Sequence, residues 1–126
     1  KRIIRAIEHP VVCIIAHPTT RLLAKRPPVD LDMEAILTAA KKHGVAMELD
    51  ASVQRLDLSD VHCRMAKNMG VKVIINSDAH ATQELDYRFG ISQARRGWIE
   101  KGDVLNTLSW SAFEKWLKKG ALKSIV

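Results

Sequence analysis

Residues 45–80 read VAMELDASVQRLDLSDVHCRMAKNMGVKVIINSDAH, two short apolar runs on either side of one helical segment. Val45-Ala46-Met47-Glu48-Leu49 and Val71-Lys72-Val73-Ile74-Ile75 have strand length, and the second is rich in β-branched residues. Between them, Ser59 is placed to cap a helix that presents His62, Met65, Ala66 and Met69 and stops at Gly70. Working upstream, Val11-Val12-Cys13-Ile14-Ile15 is a third run of strand length. A second helical pattern joins it to Val45. That helix starts at Asp30 or Asp32, presents Met33, Ile36, Leu37 and Ala40, and stops at Gly44. The order is βαβαβ. Near-continuous apolar strands joined by single helices predict a parallel sheet covered by helices, with right-handed crossovers.

Downstream of the third strand the pattern is helical. It predicts a helix over roughly 82–97 around Phe89, Ile91 and Ala94, a turn near Asp103 to Leu105, and a last amphipathic helix, Trp110 to Lys119, docked through Phe113, Trp116 and Leu117. Arg2 to Glu8 reads as the end of a helix, so the chain is expected to be one domain or part of one over residues 1–126. Three β/α units are too few to close a barrel of about eight strands. The fold class expected is therefore α/β, a partial (β/α) barrel with parallel strands and helices outside, or a small open sheet.

The 126 residues hold 20 basic and 14 acidic side chains, a net charge of +6. Residues 1–26 carry six basic and one acidic group, 27–87 carry six and ten, and 88–126 carry eight and three. Basic ends around an acidic middle suit a polyanion held near a metal, although solvated helix faces give the same count. No apolar stretch approaches the roughly 18 residues of a membrane span, and no signal-peptide pattern opens the chain. Two cysteines without framework spacing, Cys13 and Cys63, are expected as reduced thiols in a cytoplasmic protein. Walker A, GxGxxG and GxSxG patterns are absent, so nucleotide-cofactor chemistry and serine hydrolysis find no support.

The chemistry is signalled by position. Each strand is followed by groups able to bind metal: His17 after the first, Glu48 and Asp50 at the end of the second, Asp78 and His80 after the third. All lie at the carboxyl edge of one parallel sheet, where such folds place their sites. His17, Asp78 and His80 are the ligands expected of a divalent ion, with manganese, zinc or iron suiting mixed histidine and carboxylate donors. Alternation puts Glu48 and Asp50 on one strand face, as residues that orient the ligands and line the interior. Arg21 and Arg55 lie in loops over the same edge, where a guanidinium can grip phosphate or pair with an aspartate. His9, His43 and His62 read as structural or solvated, and Arg95-Arg96 as the positive end of a helix.

Taken in order, His17-Pro18-Thr19-Thr20-Arg21-Leu22, Met47-Glu48-Leu49-Asp50, Arg55-Leu56-Asp57-Leu58, Ile74-Ile75-Asn76-Ser77-Asp78-Ala79-His80, Ala94-Arg95-Arg96-Gly97-Trp98 and Asn106-Thr107 resemble the PHP (polymerase and histidinol phosphatase) domain. They are most similar to the version attached to bacterial and archaeal family X DNA polymerases. The resemblance implies a distorted (β/α) barrel with a cluster of divalent metals, of which this chain is the carboxyl-terminal part. It implies a metal-dependent 3′-5′ exonuclease or related phosphoesterase acting on DNA or another phosphate ester, joined to the polymerase portion of a longer chain. By motif match His17, Asp78 and His80 would be ligands, with Glu48, Asp50 and Asn76 in the pocket; Asp50 stands where asparagine is expected. Alternatives are a histidinol-phosphate-type phosphomonoesterase and a non-catalytic module supporting the polymerase. With part of the ligand set and an open sheet edge, the chain alone is expected to be weakly active or inactive and to form a homodimer.

Overall fold

A computed structural model describes residues 1–122. Helix α1 (Arg2–Ile7) leads into strand β1 (Ile14–Ile15), helix α2 (Met33–His43), strand β2 (Ala46–Asp50), helix α3 (Asp60–Met69) and strand β3 (Val73–Asn76). Two single turns of 3₁₀ helix, Lys101–Asp103 and Leu105–Thr107, follow helix α4 (Arg88–Arg96), and helix α5 (Trp110–Leu122) comes last. The sheet has the order β1-β2-β3 and is parallel throughout. Among the described residues, no helix is long and apolar enough to cross a membrane.

Local chemistry accounts for the helix boundaries. The Asp32 carboxylate accepts from Ala35 N at 2.9 Å, and the Ser59 hydroxyl accepts from His62 N at 3.2 Å, each satisfying an amide that has no partner inside its helix. Gly44 and Gly70 close the two helices with φ of 68° and 70°, a left-handed conformation that costs glycine little. Met33, Ile36, Leu37 and Ala40 are buried as the spacing predicts. In α3 the buried residues are Cys63 and Ala66, while Met65 and Met69 pack at the edge of the core.

The strands sort their side chains by alternation. Met47, Leu49 and Val73 join the main core with Ile36, Leu37, Ala40, Cys63 and Ala66 from the helices. Ala46 and Ile74 belong to a smaller cluster with Leu105, Phe113 and Trp116. Glu48, Asp50 and Asn76 continue that second face toward the carboxyl ends, beyond the point where apolar residues fill it.

Three expectations need correction. The first strand is two residues long instead of five, because Val11 sits exposed in a turn whose Val12 N donates to His9 O. The segment 82–97 does not form one helix: a 3₁₀ turn at Thr82–Glu84 precedes α4, whose start is fixed by Arg88 N donating to the Asp86 carboxylate. Gly90, Gln93 and Ala94 form the buried side of α4, whereas Phe89 and Ile91 are exposed. The edge of β3 is also less open than three strands suggest. Val104 bridges Val73, and the Asn106 amide pairs with the Ile75 backbone as a strand would, accepting from Ile75 N at 2.7 Å and donating to Ile75 O at 3.0 Å.

Candidate metal centre

The loops after β1 and β2 are fastened to each other at the carboxyl edge. Leu23 N donates to Gln54 O, and the Arg21 guanidinium donates through Nε to Arg55 O at 2.7 Å and through Nη2 to Leu56 O. Asp57 is fully buried, and its carboxylate accepts from Thr19 N at 2.9 Å. Burial pushes the Asp57 carboxyl above its ordinary value, opposed by its hydrogen bonds with Thr19. The sequence leaves Arg21 to grip a phosphate or to pair with an aspartate. Its guanidinium is instead bonded to two carbonyls of the neighbouring loop.

This fastening brings His17 over the end of β2. His17 N donates to Glu48 Oε2 at 2.6 Å, and His17 Nδ1 lies 3.0 Å from the same oxygen and 3.8 Å from Asp50 Oδ2. Asn76 Nδ2 donates to Glu48 Oε1 at 3.0 Å, so both oxygens of Glu48 are held. Asp50 is 0% exposed. Its Oδ1 accepts from Ser52 N at 2.8 Å, while Oδ2 is buried without a well-formed hydrogen bond. Burial pushes its carboxyl up to about 6, and the charges of Asp78 and Glu48 add to the effect.

His17, Glu48 and Asp50 each place one donor atom within 4.8 Å of the others. A nitrogen and two carboxylates, one of them buried with an Oδ2 that makes no hydrogen bond and meets only charged neighbours, fit a divalent cation. Sequence reasoning placed Glu48 and Asp50 behind the ligands. The structure puts their oxygens next to the His17 ring.

The remaining expected residues gather beside this group. Arg55 Nε lies 3.3 Å from Asp50 Oδ2 and 3.1 Å from Asp78 Oδ2, linking the ends of β2 and β3. Asp78 and His80 border a cleft of about 450 Å³ together with Arg55, Ser52 and Glu84. His80 is exposed; its backbone N donates to Glu84 Oε2 at 2.7 Å, and its ring is outside the three-residue group. His17, Leu56 and Asp78 have φ of 25°, 46° and 53°, sparsely populated values for residues with a Cβ. Such strain concentrated at one sheet edge is the kind of backbone that binding sites hold. His62, read as structural or solvated, is half-buried with Nδ1 unpartnered, and burial pulls its imidazole below the ordinary value.

No protein-family model matches the chain. Over 120 residues it is 40% identical to the DNA polymerase/3′-5′ exonuclease PolX of Bacillus subtilis (strain 168), covering 94% of this chain and 21% of that protein. It is also 34% identical over 114 residues to a probable phosphatase of Thermoanaerobacter sp. (strain X514), covering 85% of this chain and 44% of the other. A probable phosphatase of Caldanaerobacter subterraneus is 38% identical over 86 residues, or 64% of this chain and 32% of the relative. The chain thus spans between about a fifth and under half of these relatives. The resemblance read from the motifs is borne out in that the relatives matched are a bacterial DNA polymerase/3′-5′ exonuclease and probable phosphatases.

Proposed function

We propose that this chain, similar along nearly its whole length to a bacterial polymerase with 3′-5′ exonuclease activity, is the carboxyl-terminal part of a PHP domain and serves a metal-dependent phosphoesterase. In this reading the parallel sheet is one section of a distorted (β/α) barrel. The domain is attached to a family X DNA polymerase and acts on phosphodiesters at a DNA end. The observation that carries the proposal is Asp50: a fully buried carboxylate whose Oδ2 makes no hydrogen bond and is met by Arg55 Nε at 3.3 Å, grouped with His17 and Glu48 at the carboxyl edge.

His17, Glu48 and Asp50 would hold a divalent ion, which when bound supplies Lewis-acid activation of water and of the phosphoryl group. Asn76 and the His17 backbone amide hold the two oxygens of Glu48 and so fix its carboxylate plane. Asp78 and His80 border the cleft into which a substrate phosphate would enter, and they offer further donors there. Arg55, between Asp50 and Asp78, is the guanidinium closest to that phosphate. Arg21 acts at one remove by holding the loop that carries Arg55 and Leu56.

The relatives named as phosphatases favour a second reading, a phosphomonoesterase. Both are tested in the intact protein by manganese-dependent release of 3′ nucleotides from single-stranded DNA beside release of phosphate from histidinol phosphate. The exonuclease reading expects the first activity, abolished by His17→Ala with polymerisation retained. Phosphate release alone supports the phosphatase reading, and neither activity supports a structural module.

A further inference from the structure

We infer that Arg55 is a built-in counter-cation of the candidate metal centre, competing with a divalent ion for Asp50 and thereby setting the affinity of the site; this rests on the metal-binding reading above. Arg55 is positioned independently of the carboxylates it meets. Its backbone N donates to Ser52 O, its carbonyl accepts from Arg21 Nε at 2.7 Å, and Leu56 beside it takes a left-handed φ of 46°. From that anchored backbone the guanidinium reaches between two strand ends, 3.3 Å from Asp50 Oδ2 and 3.1 Å from Asp78 Oδ2, with its side chain 21% exposed. Nη1 is buried and makes no hydrogen bond.

Two cations therefore contend for one oxygen. Asp50 Oδ2 faces the His17 ring at 3.8 Å on one side and Arg55 Nε at 3.3 Å on the other. An ion drawn to His17, Glu48 and Asp50 brings two positive charges within a few ångströms of a guanidinium in a largely dry setting, where like charges repel strongly. Part of the ion's binding free energy must go into loosening Arg55 from Asp50. The coupling is reciprocal, so the ion also frees the guanidinium toward Asp78 and the cleft. A scaffolding role for Arg55 makes the opposite prediction, since losing a scaffold that holds Asp50 and Asp78 would weaken metal binding.

The test is a manganese titration of the 126-residue chain, with free ion followed by electron paramagnetic resonance, for wild type, Arg55→Gln and Arg55→Lys. Competition predicts binding about tenfold tighter in Arg55→Gln, inside the usual range of site coupling, and Arg55→Lys close to wild type because the charge is kept. A folded Arg55→Gln chain that binds equally or more weakly overturns the inference. A chain carrying both His17→Ala and Asp50→Asn sets the background. Uptake by wild type and Arg55→Gln no greater than this background contradicts the metal reading and the competition together; equal uptake above it contradicts the competition alone. A measurement on wild type needs no variant: the Nε–H resonance of Arg55 should shift as magnesium is added, and a resonance unmoved at saturation overturns the inference as well.

Discussion

Replacing Asp50 by asparagine should shift the stability of the metal-free fold, relative to wild type, in the variant's favour as pH rises. In the unfolded chain the carboxyl ionises near 3.8, whereas burial in the fold holds its proton to about 6. Between those values the folded state binds more protons than the unfolded one, so stability falls as pH rises through that window and is level on either side. At 1.36 kcal/mol per unit, the cost of the buried charge is about 1 kcal/mol at pH 4.5 and about 3 kcal/mol at pH 7.5. Asparagine carries no such charge, and its side-chain oxygen can still accept from Ser52 N. The free-energy difference between Asp50→Asn and wild type should therefore move by about 2 kcal/mol in favour of the variant between those two pH values. Urea unfolding in the presence of a chelator, at pH 4.5 and pH 7.5, measures it. Comparing the two pH values cancels pH-independent losses such as altered packing. A difference that stays constant across the window would show that Asp50 is not a destabilised charge, and the case for a cation beside it would lose its main support.

Further outcomes follow from particular contacts. Asn106→Ala removes both bonds to the Ile75 backbone and should cost about 1 kcal/mol, since water can reach the site, with faster hydrogen exchange at the Ile75 amide as the specific sign. Gly97→Ala would set a Cβ into the Cys63 Cβ and 2.9 Å from Asp60 O, so unfolding in urea should show a loss of about 1–3 kcal/mol. Asp57→Ala leaves Thr19 N without its buried acceptor, and calorimetry should register a loss of about 2 kcal/mol together with weaker manganese binding through the displaced His17 loop.

The sequence made much of this framework legible. Asp32 and Ser59 are caps, Gly44 and Gly70 are stops, and the apolar spacing identifies the core face of α2, whereas in α3 only Ala66 of the predicted face is buried and Cys63 takes the central place beside it. Alternation in β2 correctly set Glu48 and Asp50 apart from Met47 and Leu49. What alternation does not contain is the distance to His17, which depends on a 17-residue connection between β1 and α2, on the Arg21 fastening and on a positive φ at His17 itself. Propensity gives no warning of such a φ at a histidine. The same reasoning explains Arg21: a guanidinium bonded to backbone carbonyls of another loop leaves no trace in residue type or spacing. Phe89 and Ile91 fit a helical pattern, yet the 3₁₀ turn and the new start at Arg88 rotate Gly90, Gln93 and Ala94 toward the core in their place.

The central claim is that one divalent ion binds among His17, Glu48 and Asp50, and crystals grown with manganese and measured at an energy where manganese scatters anomalously test it most directly. The account predicts an anomalous peak at bonding distance from a ring nitrogen of His17 and an oxygen of Asp50, with Glu48 completing the set and Arg55 withdrawn from Asp50 toward Asp78. A peak held by Asp78 and His80 with His17 left out, or no peak at the carboxyl edge at all, would contradict it.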